Sequence, residues 1–333
     1  MNKFTSPTRK LNFSDVMIVP HKSSINSRKL VNLETRYKFK HSTRTWKGVP
    51  LICSNMDSIS NSCMYNELTK HNVMSCVSKH INDFNDFQID RNTFMLSTGI
   101  TNKDFFKAND IINRYEPHFV CVDVANGYID DLLRFIDVFH KHHVSKRITL
   151  CVGNVVTPER VEELINEFGV DIVKVGIGSG GVCTTTTKTG VGYPQLSAVL
   201  ECGEAAKMAG GYIISDGGIK IPSDIAKAFV AGADFVMCGS IFAGHYECEG
   251  TLISNENGKF MEFHGMSSNE AMEKHNGGVN NYRTGEGKYV LVPYKGHVSN
   301  TIHDIFGSLR STGTYINSPN ISVFSQYGKF ILI

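Results

Sequence analysis

A (β/α)8 barrel, the TIM-barrel class of α/β fold, is what this sequence predicts, on three observations. Eight short apolar runs punctuate the 333 residues, helix-like segments separate most of them, and the glycine-rich turns follow the sixth, seventh and eighth runs. A doubly wound open sheet, the nearest rival, would carry its glycine fingerprint after the first strand, with an acidic residue about 20 positions later. In a barrel, functional groups collect instead on the loops that follow the strands.

In order, the runs are Val49–Cys53, Val73–Ser78, Phe94–Thr98, Phe119–Val124, Ile148–Val152, Asp171–Gly176, Tyr212–Ser215 and Asp234–Cys238. Each is short and does not alternate polar with apolar residues, as expected of strands buried on both faces of a parallel sheet. Helices are predicted over Ser60–His71, Lys103–Tyr115, Ile129–His143, Pro158–Phe168, Pro194–Met208 and Pro222–Ala231. Pro158, Pro194 and Pro222 fall in first helical turns, where a missing N–H costs nothing. A less regular helix is expected around Asn82–Arg91, between the second and third strands. Residues 1–48 precede the barrel. From Glu247 to Val298 runs a long polar excursion carrying GMSS and YRTGEGK, followed by a final helix near Thr301–Ser311. Excursions of this length are usually functional or disordered, and these motifs favour function. One catalytic domain is expected over 1–333.

Composition narrows the function classes. With 41% hydrophobic and 20% charged residues the chain is of ordinary globular type. Its 34 basic and 32 acidic residues form no long single-sign run, which argues against nucleic acid or an anionic membrane surface as partner. The nine cysteines show neither CxxC pairs nor zinc spacing, so a reduced, cytoplasmic setting is expected. No apolar stretch approaches the ~20 residues of a membrane helix, and MNKFTSPTRK lacks the apolar region of a signal peptide. The thirteen histidines show no HExxH pattern, so no transition-metal site is expected.

The chemistry centres on KVGIGSGGVCTTTTKTGVGYPQL, from Lys174 to Leu196. Glycines at 176, 178, 180 and 181 suit neither a helix nor a packed strand interior, so this is a shaped loop presenting Cys183. Thiolate is the nucleophilic form of cysteine, and converging backbone N–H groups favour it. The other eight cysteines read as buried and inert. SDGG (Ser215–Gly218) ends the seventh strand and CGS (Cys238–Ser240) the eighth. In barrels these two loops commonly bind phosphate, because glycine lets backbone N–H groups approach the anion. Either turn alone would be ordinary turn chemistry; both together favour a phosphate site. Glu286, in GEGK, could return to the barrel mouth as a general acid or base, although spacing alone favours a solvated loop carboxylate.

These segments, with HGMSS (His264–Ser268), NYRTGEGK (Asn281–Lys288), DIFGSLRSTGTY (Asp304–Tyr315) and VDVANGY (Val122–Tyr128), resemble the family of inosine monophosphate (IMP) dehydrogenase and guanosine monophosphate (GMP) reductase. The resemblance covers nearly the whole chain. It points to the reductase branch, because only a short segment separates strands two and three, where the dehydrogenase usually inserts a regulatory module. The excursion also lacks the dehydrogenase's Arg-Tyr pair, since Arg283 is followed by Thr284.

The resemblance implies NADPH-dependent reduction of GMP to IMP and ammonia, a purine-salvage reaction. Cys183 would attack purine C2 to form a thioimidate, while Thr185 and Glu286 relay a proton to the leaving ammonia. Nucleotide contacts are implied for Asp216, Gly217, Gly218, Gly239, Ser240, Gly265, Met266, Ser267, Arg283, Thr284, Gly285 and Gly287. Cofactor contacts are implied for Lys79, Asp123, Val124, Ala125, Ile177, Gly178, Met266, Tyr282 and Arg283. Ser27, Arg28, Ser311, Thr312, Gly313 and Thr314 would come from a neighbouring subunit of a homotetramer. A potassium ion is implied on carbonyls of Gly178, Gly180 and Cys183. The chain departs from the family pattern at several positions: Thr186 replaces a usual arginine, Gly181 a usual phosphate-binding serine, Ser240 a usual glycine and Gly313 a usual cysteine. The tail after Pro319 matches poorly. A dehydrogenase lacking its module, or a nucleotide-binding scaffold without turnover, are the competing readings.

Overall fold

A computed structural model describes residues 9–143, 147–265, 268 and 286–333. Eight parallel strands form the centre: β1 (Thr45–Cys53), β2 (Val73–Val77), β3 (Phe94–Thr98), β4 (Phe119–Asp123), β5 (Thr149–Val155), β6 (Ile172–Val175), β7 (Tyr212–Asp216) and β8 (Phe235–Cys238). Each pairs with the next, and β8 returns to β1 through Val236–Leu51, Met237–Ile52 and Cys238–Cys53. The sheet therefore closes as a (β/α)8 barrel.

The strands β2, β3, β6 and β8 are buried along their entire length, which is why they read as unbroken apolar runs. Outside them lie helices Ser62–Thr69, Asn102–Tyr115, Asp130–His143, Pro158–Asn166, Gln195–Ala209 and Pro222–Val230. Pro158 and Pro222 occupy the first helical turn as predicted, whereas Pro194 stands just outside its helix as the N-cap. The strand β1 starts at Thr45 rather than Val49, because its outer half pairs antiparallel with Thr35–Lys38.

The helix expected around Asn82–Arg91 does not form. Asp83 accepts the Asn85 N–H and Asp90 the Asn92 N–H, both at 2.9 Å, and such local bonds compete with helical ones. Phe84 and Phe87 anchor the irregular segment against Phe94 and Tyr65. The closing helix is longer than predicted, Val298–Tyr315, with Val298, Ile302, Ile305 and Leu309 buried along one stripe. The excursion after β8 contains three antiparallel strands, Leu252–Asn255, Gly258–His264 and Tyr289–Pro293, that were not anticipated.

Inside the barrel, aromatic rings close the N-terminal end of the strands. Trp46 and Phe235 lie 5.1 Å apart between ring centroids, as do Tyr37 and Phe235. Phe39 meets Phe119 edge-on at 5.6 Å. This plug leaves room for chemistry at the opposite end.

Candidate active site

A cavity of about 420 Å³ opens at the C-terminal ends of the strands. That volume suits a small-molecule ligand. Cys183 lines it from the loop after β6, half-buried. Its Sγ lies 3.2 Å from Thr185 Oγ1, which in turn donates to Glu286 Oε2 at 2.6 Å. The three residues named from the sequence thus form one hydrogen-bonded chain.

Each member is held by backbone structure. Thr185 begins a one-turn helix, Thr185–Thr189. Glu286 arrives from the excursion, which docks on the cysteine loop in strand-like fashion. Thr184 N–H donates to the Glu286 carbonyl at 2.8 Å, and Lys288 N–H donates to the Val182 carbonyl at 2.9 Å. Cys183 and Gly287 face each other as an antiparallel bridge. Gly265 packs beside this bridge, so close that a Cβ on it would meet Gly287 Cα at 3.0 Å.

Below the thiol, an ion network forms the cavity floor. Lys174, 3% exposed, contacts Asp123 Oδ1 at 2.6 Å and Asp216 Oδ2 at 2.8 Å. Asn154 Nδ2 donates to Asp216 Oδ2 at 2.9 Å, and Asn55 Nδ2 donates to Asp123 Oδ2 at 2.8 Å. The Asp123 side chain opens partly onto the cavity, yet its carboxyl sits deep enough for burial to oppose its charge. The Lys174 ammonium outweighs that burial and holds the carboxyl below its ordinary range. Burial would likewise favour neutral Lys174, but the two carboxylates push it well above the usual lysine value.

The two glycine turns line the same cavity. Gly217 and Gly218 sit at φ 100° and 78°, a left-handed backbone that strains other residues. The Gly218 N–H donates to the Ser179 carbonyl at 2.8 Å, so it is turned into the loop rather than toward the cavity. Gly239 and Ser240 line the wall nearby, with Ser240 Oγ 3.3 Å from the Ile219 carbonyl.

The pattern described as the IMP dehydrogenase / GMP reductase domain matches residues 10–333. The chain belongs to that family. Its relatives include a GMP reductase of Photobacterium profundum and one of Vibrio cholerae, each 48% identical over 97% of this chain and 95% of the relative. A GMP reductase of Shewanella pealeana is 46% identical over the same shares.

Most residues expected from the family resemblance converge on this cavity. Lys79, Asp123, Val124, Ala125, Ile177, Gly178, Gly180 and Gly265 line it alongside Cys183, Thr185, Glu286 and the glycine turns. Met266, Ser267, Tyr282, Arg283, Thr284 and Gly285 lie outside the described residues. Ser27, Arg28 and Ser311–Thr314 do not line the cavity. They gather instead where the Arg28–Leu30 turn packs on the closing helix, and a Cβ on Gly313 would meet Val31. Sequence reasoning missed Lys174, Asn154, Asn55 and Ser54 as site residues. Lys174 had left a signal, a charge inside an otherwise apolar strand that must be buried on both faces. Ser54 Oγ, buried on the cavity wall without a hydrogen-bond partner among the described residues, left none.

Proposed function

We propose that this member of the family is a GMP reductase, converting GMP and NADPH to IMP, ammonia and NADP⁺ in purine salvage, on one barrel domain spanning the chain. The observation that carries the reading is the hydrogen-bonded chain Cys183–Thr185–Glu286 at the cavity mouth. Its support from relatives is their shared description as GMP reductases.

In this reading the Cys183 sulfur attacks C2 of the purine, and the C2–N bond breaks as ammonia departs. An amine leaves poorly unless protonated. Thr185 Oγ1 bridges the sulfur to Glu286, so a proton on that carboxyl has a short path to the leaving nitrogen. The adduct is a thioimidate, and cysteine suits it as both nucleophile and leaving group. A bound reduced nicotinamide supplies hydride to C2, after which the C–S bond breaks and the thiolate returns. Asp216 receives the ribose hydroxyls, and the Gly217–Gly218 and Gly239–Ser240 turns receive the phosphate. Gly265, Met266, Ser267, Arg283, Thr284, Gly285 and Gly287 complete the nucleotide contacts. The cofactor would lie along Lys79, Asp123, Val124, Ala125, Ile177 and Gly178, which share the cavity with Cys183. Tyr282, together with Ser27, Arg28 and Ser311–Thr314 of a second copy in a tetramer, would complete its site. A potassium ion would use carbonyls of Gly178, Gly180 and Cys183. The Gly180 carbonyl already accepts the Cys183 N–H at 3.1 Å, and no step above passes through the ion.

The test is turnover with defined pairs. GMP with NADPH should lose nicotinamide absorbance and release ammonia in equal amounts. Turnover of IMP with NAD⁺ to a xanthine nucleotide, without GMP reduction, would overturn the reading.

A further inference from the structure

The hairpin that plugs the N-terminal end of the barrel carries a second feature on its outward side. From Thr35 to Lys47 the chain holds five lysines and arginines and no carboxylate. Strand alternation sorts these residues by face. Tyr37, Phe39 and Trp46 turn inward to the plug, whereas Arg36, Lys38, Lys40 and Lys47 stand exposed. The register sets Arg36 directly opposite Lys47, a pairing that like charges disfavour in a sheet. Glu34 offsets one of the two, meeting Lys47 at 2.9 Å.

At the hairpin tip the cations are fixed by neutral oxygens. Arg44 Nε donates to the Arg147 carbonyl at 2.5 Å, and Arg147 Nη2 donates to Thr43 Oγ1 at 2.6 Å. Lys40 Nζ donates to Asn166 Oδ1 at 3.0 Å and to the Ala209 carbonyl at 2.9 Å. These bonds orient the charges without neutralising them. Nearby carboxylates are engaged elsewhere: Glu116 pairs with Arg91 at 2.8 Å, and Asp171 accepts the backbone N–H groups of His41 and Ser42. Burial, and then the guanidiniums of Arg147 and Arg91, hold Arg44 below the usual arginine value, as expected where cations crowd together. A cavity of about 440 Å³ adjoins the tip, lined by Arg147 and His41 but also by Asp137 and Glu167. An anion therefore belongs on the hairpin side of that cavity, at Arg44 and Arg147, rather than in its depth.

We propose that this face binds an oligophosphate, a chain of linked phosphates either free or carried by a nucleoside. Cations held apart in fixed positions suit an anion whose charge is itself spread over several groups, and each guanidinium presents a fork that matches phosphate oxygens. A nucleic acid fits less well, because all three rings of the hairpin point inward and leave no platform on which a base could stack. A membrane fits less well too, since the outward face offers no apolar side chain to enter a lipid interface. The face lies at the opposite end of the strands from Cys183 and is independent of what the active cavity binds.

Calorimetric titration with tripolyphosphate tests the assignment. The native protein should bind it, with an affinity that falls as ionic strength rises from about 0.01 to 0.15 M. Arg44→Ala and Arg147→Ala should each weaken binding about ten- to a hundredfold. Both side chains also tie down the tip, so Arg36→Ala combined with Lys38→Ala provides a variant at exposed positions that leaves the fold intact; it should weaken binding about tenfold. Lys259→Ala, which removes an exposed cation from the excursion, should change nothing. Adenosine triphosphate titrated alongside separates the two sources. Tighter binding than tripolyphosphate, lost in the same variants, means that the nucleoside uses the adjoining cavity; equal binding means that the phosphate chain suffices. Failure of the native protein to bind tripolyphosphate, binding that the Arg44, Arg147 and Arg36/Lys38 variants all retain, or capture of a mixed-sequence oligonucleotide but not of tripolyphosphate overturns the assignment.

Discussion

At the scale of single residues, the sulfur of Cys183 and the carboxyl of Glu286 divide the proposed chemistry between them. Removing the sulfur removes the covalent step but no ribose or phosphate contact. Cys183→Ala should therefore lower GMP reduction by on the order of a thousandfold or more, with GMP affinity retained within a few-fold by calorimetry. Retained turnover would exclude the covalent route. Glu286→Gln keeps an acceptor for the Thr185 hydroxyl but removes the proton that ammonia needs. It should slow GMP reduction by roughly 10²- to 10⁴-fold. Isotope transfer between C2-labelled IMP and NADP⁺, which releases no ammonia, should fall much less. Equal losses in the two assays would contradict this division.

Two arrangements at the scale of elements hold those residues in place. The first is the bridge between the cysteine loop and the excursion, in which Lys288 N–H donates to the Val182 carbonyl. Lys288→Pro deletes that donor, so kcat should drop at least about tenfold while the barrel's unfolding midpoint stays unchanged. The second is Lys174 between Asp123 and Asp216, contributed by β6, β4 and β7 respectively. Lys174→Met would leave two carboxylates facing each other, at a cost of about 3–5 kcal/mol. The pH dependence has a definite sign. Asp123 is held below the ordinary carboxyl value of 3.8, so its contribution is complete above that pH and is lost as pH falls through the lowered folded value. Lys174 is raised above 10.5, so its contribution is complete up to that pH and fades only in stronger alkali. Thermal unfolding followed over about pH 2 to 5 should thus show an acid limb that Asp123→Asn flattens. An unaltered limb would mean that other carboxyls set it.

For the whole molecule, closure of the barrel depends on the aromatic plug at the N-terminal end. Phe235 is fully buried and touches both Trp46 and Tyr37. Phe235→Ala should cost about 3–5 kcal/mol, because the rings around the cavity can collapse only partly. Denaturant unfolding measures the loss. Since the plug lies at the far end of the strands from Cys183, the alkylation rate of that thiol in the folded variant should match the native rate.

The parallel strands were legible because burial on both faces forces each into an apolar run that survives in the linear order of residues. Local chemistry also predicted the helices opened by Pro158 and Pro222, and the loop that exposes Cys183. Where side chains offered the backbone an alternative, as Asp83 and Asp90 do, helical periodicity misled. The hairpin strand Leu252–Asn255 left no clear run and stands largely exposed, whereas Tyr289–Pro293 is an apolar run, YVLVP, that went unassigned inside the polar excursion. What the tertiary structure alone decided is which loops meet. Thr185 and Glu286 lie 101 positions apart, and nothing in their spacing separates a proton relay from a solvated carboxylate. Lys174 stood out as a charge in an apolar strand, but nothing in the linear order made Asp123 and Asp216 its partners. Closing the sheet into a barrel brings the ends of β4, β6 and β7 around one small volume, and only there do one ammonium and two carboxylates become a single electrostatic unit.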